Sequence, residues 1–276
     1  MNRLRFWCMA PAATLLFILF LIPIAIVASY SLLSRGPYGG VMPPWNLENY
    51  MRLADPLYLS ILWRTILYSF VATAACLLAG FPLAWFISRS GPRKGLFLAL
   101  VIVPFWTSFL VRTYAWMFLL RDTGLINSVL QWLGLIHDPL PLLFNPFAVI
   151  IGLVYGYLPF MILPIYSTLE KLDPALLEAS ADLGARPMTT MFQVVIPLAK
   201  PGMLAGGVLV FISCLGAYLT PDLLGGGKTI MIGNLVQNQF TAARDWPFGA
   251  ALSLMLMAVV MAMLMPVLRR EKDGLL

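Results

Sequence analysis

Few side chains in this sequence could do chemistry, and many of them lie in one segment, residues 178–202, which reads EASADLGARPMTTMFQVVIPLAKPG. Its polar groups do not form a nucleophile with a base, and the chain has no zincin, catalytic-triad or EF-hand pattern. The three cysteines, Cys8, Cys76 and Cys214, have no ligand spacing either. We therefore expect the segment to lie in water outside the membrane, and we expect no catalytic centre, no metal and no other cofactor.

Two short helices joined by a turn are predicted in and just before this segment. Asp173 is a good N-cap with proline at the next position, and Gly184 can take the left-handed conformation that ends a helix. Pro187 can start the second helix, which we expect Pro197 and Pro201 to end before the membrane. Each helix has an apolar stripe that must be buried, either against the ends of the protein's own helices or against a partner. The stripes are Leu172, Leu176, Ala179 and Leu183, and then Met188, Met191, Phe192 and Val195.

The composition places the rest of the chain in a membrane. Of 276 residues, 61% are hydrophobic and 11% are charged, and the mean hydropathy of +0.87 is too high for one soluble core. About 20 apolar residues cross the hydrocarbon as a helix, and the apolar runs lack the alternation of barrel strands, so we predict an all-α polytopic membrane protein. The six predicted transmembrane helices are Ala10–Leu32, Ile66–Ile87, Leu96–Leu120, Phe147–Ile165, Met203–Leu219 and Phe248–Leu268.

The first predicted span also has features of a secretory signal, because the basic start MNRLR precedes its apolar run. That run has about 22 residues, whereas the apolar region of a cleaved signal has roughly 7–15. We therefore expect an uncleaved membrane anchor. Cys8 precedes the apolar run instead of following it, which does not fit a lipoprotein.

The distribution of Lys and Arg predicts the orientation, because these residues are retained on the cytoplasmic side during insertion. With the amino terminus inside, eleven fall in cytoplasmic segments and six outside, so both termini are predicted to be cytoplasmic. This bias explains the net charge of +6, and we expect no nucleic-acid partner. The cytoplasmic set is Arg3, Arg5, Arg89, Arg93, Lys94, Lys171, Arg186, Lys200, Arg269, Arg270 and Lys272, and the outside set is Arg35, Arg52, Arg64, Arg121, Lys228 and Arg244.

On this topology the opening segment belongs to the longest cytoplasmic loop, residues 166–202, within a single transmembrane domain of residues 1–276. Glu178-Ala179-Ser180, then Gly184, and Ile196-Pro197 beyond closely resemble the "EAA" signature of permease subunits in binding-protein-dependent ABC importers. Ser180 stands where the signature usually has alanine. In that family the loop docks into a groove on the cytoplasmic ATPase. The resemblance implies ATPase-coupling roles for Glu178, Ala179, Ser180, Asp182, Gly184, Ala185 and Pro187.

Three further stretches are similar to the spermidine/putrescine branch of that family. They are PFWTSFLVRTYAWMFLL from Pro104, VIIGLVYGYLPFMILPIYSTLEKLD from Val149 and IGNLVQNQFTAARDWPFGAALS from Ile232. The resemblance therefore covers most of the chain from about residue 60 onward, and it implies the fold of a type I ABC importer permease. It implies a polyamine as the solute, with another small cationic or amino-acid-like solute as the alternative.

The resemblance also implies an assembly in the bacterial inner membrane. This multi-pass chain would pair with a second, related permease, contact membrane lipid, and sit with its partner on two copies of an ATPase. A periplasmic solute-binding protein would deliver the solute to the outer face. Closure of the ATPases on ATP would rock the helix bundles between inward-open and outward-open states, so this chain would be the conduit and not an enzyme.

Polar residues within and near the spans are candidates for the solute path. Arg112 is the single charge well inside a predicted span, where it can face the bundle or reach toward the outer surface. Because it would repel a cation, we interpret it as a gating or structural residue. Asp222, Tyr218 and Trp106 are the predicted substrate path, since a carboxylate and aromatic faces stabilise a cation that leaves water. Alternatively, Asp222 caps the glycine-rich turn and Tyr218 belongs to the interfacial aromatic belt.

Small residues and prolines predict how the spans pack. Gly152-x-x-x-Gly156 and Gly202-x-x-x-Gly206 would let helices approach closely, either in a moving bundle or in static packing. Pro159 is expected to kink the fourth span together with Pro164.

Two other classes of protein remain open on the sequence. An ion-coupled secondary transporter would more often show paired broken helices or intramembrane carboxylates, and neither is evident. A membrane scaffold would need no substrate path. Uptake that requires both ATP and a binding protein separates all three classes.

The predicted orientation can be tested by cysteine labelling in a background without the native cysteines. A cysteine at Thr189 should react with an impermeant maleimide only from the cytoplasmic side, and one at Thr241 only from outside, because their loops lie on opposite faces. The opposite pattern would overturn the cytoplasmic placement of the loop.

Overall fold

A computed structural model describes residues 2–272, and their regular structure is almost entirely helical, which confirms the predicted all-α class. Side chains of residues 1–10, 12–13 and 266–276 lie outside the described part, and with them the predictions for Cys8 and the terminal cations. The helices are α1 (Asn2–Ser31), α2 (Glu48–Leu53), α3 (Pro56–Ser88), α4 (Lys94–Ile102), α5 (Phe109–Leu120), α6 (Leu125–Trp132), α7 (Pro146–Leu169), α8 (Pro174–Asp182), α9 (Pro187–Thr190), α10 (Ile196–Leu215), α11 (Leu219–Gly225), α12 (Ile232–Phe240) and α13 (Trp246–Lys272).

Within the described residues the chain forms two compact units, one of residues 2–60 and 235–262 and the other of residues 61–234 and 263–272. The first unit holds a short antiparallel pair, β1 (Ser34–Arg35) and β2 (Val41–Met42), in which Ser34 lies opposite Met42. Arg52 Nη1 donates to Asp245 Oδ2 at 2.9 Å, and the Arg52 guanidinium lies 4.0 Å from the Phe248 ring centroid. Asp245 is only 3% exposed, so this ion pair ties the start of α13 to α2.

The number of membrane crossings agrees with the prediction. Five helices are long and apolar enough to cross a membrane: Thr14–Ser31, Pro56–Ser88, Pro146–Leu169, Pro187–Leu215 and Trp246–Met265. A bent pair of helical segments, Gly91–Trp106 and Phe109–Trp132, gives six crossings if it is counted as one span. Hydropathy therefore located each crossing, although it did not place the helix ends.

The third span differs from the single helix predicted over Leu96–Leu120. After α4 a 3-10 turn, Val103–Trp106, leads to two residues with extended backbone, and the helix axis changes by 91° before α5 continues. Thr107 has ψ 154° and Ser108 has ψ 134°, so neither continues a helix. Pro104 contributes to the break because it lacks an N–H for the helical ladder.

The fifth span contradicts two sequence predictions. Pro197 and Pro201 do not end the helix, which runs from Pro187 to Leu215 through a π-helical segment, Met191–Val195. A proline removes one backbone hydrogen bond, and here close packing of α10 on α7 keeps the helix continuous across that loss. The span also ends at Leu215 instead of Leu219, because the chain turns at Gly216 and α11 starts afresh.

The core of the second unit is built around α7, a single helix that contains both Pro159 and Pro164. Both predicted small-residue pairs are places of close approach. A Cβ added at Gly202 would lie 2.6 Å from the Pro164 carbonyl oxygen, and one at Gly206 would lie 3.1 Å from that of Met161. On α7 itself, a Cβ at Gly152 would lie 2.6 Å from Thr220 Cγ2. Glycine is therefore required where α10 and α11 cross α7.

Gly202→Ala should destabilise the protein, because the new methyl group would press on the Pro164 carbonyl and the Thr168 side chain. Overpacking of this kind costs about 1–3 kcal/mol. Gly207→Ala is the matched control on the same helix, since its Cβ would meet only Thr73 Cγ2, at 4.0 Å. Thermal unfolding of the purified protein in detergent measures both. Equal midpoints for the two variants would contradict the packing described for α10 and α7.

Candidate functional site

The first half of the loop between α7 and α10 folds as its sequence predicts. The Asp173 carboxylate caps α8 by accepting a hydrogen bond from Ala175 N at 3.0 Å. Gly184 has φ +76° and ends the helix in the left-handed conformation. Its N–H donates to Ala181 O at 2.8 Å, and the next N–H, of Ala185, donates to Ser180 O at 3.1 Å. The turn between the two loop helices is thus fixed by local hydrogen bonds.

The second half begins at Pro187, also as predicted, and α9 then continues into the π-helical segment and α10. The Ser180 and Thr190 hydroxyls share a hydrogen bond of 2.7 Å, which joins α8 to α9. Serine at the position where the family signature usually has alanine therefore has a defined partner. The two loop helices are thus joined to each other, and the second continues directly into the fifth span.

The predicted apolar stripes are only partly buried. Of the second stripe, Met191 packs against the core and Val195 is buried, and on the first helix it is Leu177, outside the predicted stripe, that packs against the core. Leu183 is 89% exposed and Met188 is 67% exposed. Two more stripe residues that are exposed are Leu176 and Phe192. The loop therefore presents an apolar surface of Leu176, Leu183, Met188 and Phe192, which we call the loop surface.

The polar members of the predicted coupling set border the loop surface. The exposed members are Glu178, Ala179, Asp182, Gly184 and Pro187, and the half-buried members are Ser180 and Ala185. The structure thus brings all seven into one loop of two helices, with charged and apolar groups side by side.

An ion pair beside this loop was not found from the sequence. Lys94 Nζ donates to Glu170 Oε1, which joins the start of α4 to the end of α7. The Lys94 hydrogen bond, with a second from Tyr166, holds the pKa of the Glu170 carboxyl below its usual value. The two residues are 76 positions apart, so no local pattern could have paired them. Their pairing places Lys94 next to the entrance of the loop between α7 and α10.

The predicted substrate path is divided between two places. Tyr218 precedes α11 and Asp222 lies in its first turn, where Asp222 N donates to Tyr218 O at 3.0 Å. Both residues are exposed, Tyr218 by 47%. Trp106, at 81% exposure, lies in the 3-10 turn before the break in the third span. Asp222 therefore lies in a short helix that follows the fifth span, with Tyr218 at the N-cap of that helix, and neither residue lies in the span itself.

A cavity of about 340 Å³ lies beside the turn that follows the C-terminal end of α10. Phe109 and Tyr157 line one side, and residues 216–220, including Tyr218, line the other. Thr220 is among the lining residues, and its hydroxyl is buried without a hydrogen-bond partner among the described residues. Tyr218 is the one member of the predicted path that lines this cavity.

Arg112 lies on α5, one turn after Phe109, and its side chain is directed toward aromatic rings. The guanidinium carbon is 4.3 Å from the Phe105 centroid and 5.5 Å from the Phe109 centroid. Sequence reasoning found Arg112 but missed these rings. Their separation of four residues across the break was the available signal, because it places two aromatic groups near one cation.

Comparisons with known proteins agree with this architecture. Residues 76–270 match the family described as "Binding-protein-dependent transport system inner membrane component". The chain is 44% identical over 245 residues to the spermidine/putrescine transport system permease protein PotB of Escherichia coli (strain K12), with 88% of this chain and 89% of that protein covered. It is 39% identical over 229 residues to the inner membrane ABC transporter permease protein YdcU of the same organism, with 78% and 72% covered.

A crystal structure of a bacterial alginate ABC transporter, in complex with an alginate pentasaccharide-bound periplasmic protein, contains a chain of the same fold. The TM-score is 0.72 at 17% identity, and the alignment covers 99% of this chain and 96% of that chain. At this identity the likeness establishes the fold alone. The fold, the match over residues 76–270 and the identity to two permease proteins show that this chain belongs to the family of binding-protein-dependent transport system inner membrane components and is a permease subunit of an ABC importer.

Proposed function

We propose that this chain carries polyamines, of the spermidine and putrescine class, across the bacterial inner membrane. The observation that carries the proposal is the 44% identity, over 88% of the chain, to a protein named as a spermidine/putrescine permease. The identity extends well beyond the loop that is common to the family, so it includes the spans that surround a solute path. Another small cationic or amino-acid-like solute is the alternative that the experiment must exclude.

The proposed assembly contains four further polypeptides: a second, related permease, two copies of a cytoplasmic ATPase, and a periplasmic solute-binding protein. The alginate transporter with the same fold is in complex with a periplasmic protein, which supports the last of these. Both termini are then cytoplasmic, and residues 166–202 form the cytoplasmic coupling loop of a single transmembrane domain. ATP is hydrolysed by the separate ATPase.

The loop surface is the proposed contact with the ATPase. Leu183 and Met188 are exposed side by side with other apolar residues of the loop surface, which is typical of a protein contact, and Glu178 with Asp182 gives the surface its charge. Burial of a large apolar side chain contributes about 1.5–3 kcal/mol. Apolar side chains therefore supply binding energy, while the carboxylates fix the orientation of the docked loop.

Transmission to the solute path follows from helix continuity. The helix from Pro187 to Leu215 has no non-helical residue, so a displacement of the loop moves its far end. That end leads directly into residues 216–220, which line the cavity. Motion of the ATPases would in this way change the shape of the proposed substrate path.

Tyr218, Asp222 and Trp106 are the proposed contacts of the substrate. Asp222 supplies a negative charge, and the exposed rings of Tyr218 and Trp106 can each add about 0.5–2 kcal/mol of cation–π attraction. Because Tyr218 also lines the cavity, it connects the exposed carboxylate to the interior.

Uptake by the reconstituted complex tests the proposed solute. Proteoliposomes with ATP inside and the binding protein outside should accumulate radiolabelled spermidine or putrescine, and should accumulate arginine poorly. Asp222→Asn should raise the spermidine concentration for half-maximal uptake, because one compensating charge is lost. Accumulation of arginine without either polyamine would contradict the proposed solute, and an unchanged Asp222→Asn complex would remove Asp222 from the path.

Substitutions at Gly184 test the coupling role of the loop. A Cβ there would meet nothing within 4 Å, so only the positive φ of +76° disfavours a larger residue. Gly184→Val should strain the turn by about 1–3 kcal/mol, whereas Gly184→Asn tolerates positive φ and serves as the matched control. The valine variant and Glu178→Lys should each lower spermidine uptake and substrate-stimulated ATPase activity together, with the asparagine variant close to the parental rate. Parental rates for both Gly184→Val and Glu178→Lys, in assembled complexes, would show that the loop is not the coupling element.

A further inference from the structure

Arg112 is held by an aromatic cluster that spans the break in the third span. Its guanidinium carbon lies 4.3 Å from the Phe105 centroid, before the break, and 5.5 Å from the Phe109 centroid, after it. Phe105 in turn lies 5.7 Å from Tyr155, and Phe109 lies 6.2 Å from Tyr157. Phe105 and Phe109, both from the third span, therefore contact the cation, and α7 supplies the tyrosine rings that pack against these two phenylalanines.

The charge of Arg112 is compensated by little else among the described residues. Nε and Nη1 are buried and have no hydrogen-bond partner there. An arginine that donates no hydrogen bond from these atoms gains less from its surroundings than one paired with a carboxylate. The guanidinium can therefore move from the rings to a position where acceptors or water are available, since no hydrogen bond from Nε or Nη1 holds it in place.

Two of the four rings in this cluster border the cavity. Phe109 and Tyr157 line it, and the Phe109 ring also lies 5.5 Å from the Arg112 guanidinium carbon, so the Arg112 charge is next to a wall of the cavity. An amine in the cavity would use those ring faces for the same cation–π attraction. A second positive charge so close is repelled more strongly than in water, because the local dielectric constant is low. Arg112 and a cationic substrate thus compete for the same aromatic ring faces.

We propose that Arg112 is a tethered cation that excludes free cationic amines from the cavity until its side chain moves away from Phe105 and Phe109. The inference rests on the proposed function, since it concerns a cationic substrate. It assigns Arg112 a gating role through its charge, and no direct contact with the substrate is required. Rotation of the long side chain is sufficient to open the site, because no hydrogen bond from Nε or Nη1 has to break.

Equilibrium binding of radiolabelled spermidine to the assembled complex in nanodiscs, without the binding protein, tests this role. Arg112→Met removes the charge and keeps a long side chain against the rings, so spermidine should bind roughly three- to tenfold more tightly. Arg112→Lys retains the charge and should bind as the parental complex does. Arg121→Met is the matched control, because Arg121 makes the same kind of contact with Phe118, at 4.9 Å, outside the cavity.

Arg112→Gln provides a second neutral variant in case the methionine variant does not assemble. Unchanged or weaker spermidine binding in an assembled neutral variant would overturn the proposal. So would failure of both neutral variants to assemble while Arg112→Lys assembles, since the charge would then be needed for folding. Absence of uptake by the parental complex with its binding protein would remove the proposed function and this inference together, whereas intact uptake with unchanged binding would remove only the inference.

Discussion

The close packing of α10 on α7 is the contact on which the rest of the structure depends. Gly202 and Gly206 bring the two helices together at the carbonyls of Pro164 and Met161, where no larger side chain fits. This packing keeps α10 helical across two prolines, each of which removes a backbone hydrogen bond. The loop surface and the cavity lie at opposite ends of the helix held in this way. If the contact between α10 and α7 were weaker, movement of the loop surface would no longer be transmitted to the cavity.

The loop shows how a segment can be rigid and still leave apolar groups free. Its backbone groups are satisfied locally, by the Asp173 cap, the Gly184 turn and the bond between Ser180 and Thr190. None of these interactions uses the exposed side chains of Leu183 and Met188. Because the loop is ordered without a partner, docking on the proposed ATPase would lose little conformational entropy, and more of the apolar burial would remain as affinity.

Local features of the fold could be predicted from sequence, whereas features that depend on distant residues could not. Hydropathy located the crossings, and the caps at Asp173 and Gly184 were read correctly because capping depends on neighbouring residues. The bend at Thr107 is hidden, since the residues on both sides are apolar. The prolines at 197 and 201 misled because tertiary packing outweighed their local preference. Pairing of Lys94 with Glu170, and of Arg112 with its rings, required the folded chain.

Two of the places where the backbone leaves helical geometry border the same space. The break at Thr107–Ser108 is followed at once by Phe109, which lines the cavity, and the turn after Leu215 supplies residues 216–220 on the other side. Non-helical backbone at membrane depth is tolerated only where protein buries it or where it lines a space that holds water. The buried Thr220 hydroxyl, without a protein partner among the described residues, also favours a polar occupant. Irregular backbone and an unpaired hydroxyl therefore meet at one cavity beside the Arg112 charge, and this arrangement supports the proposal that the cavity is part of a route for a cation.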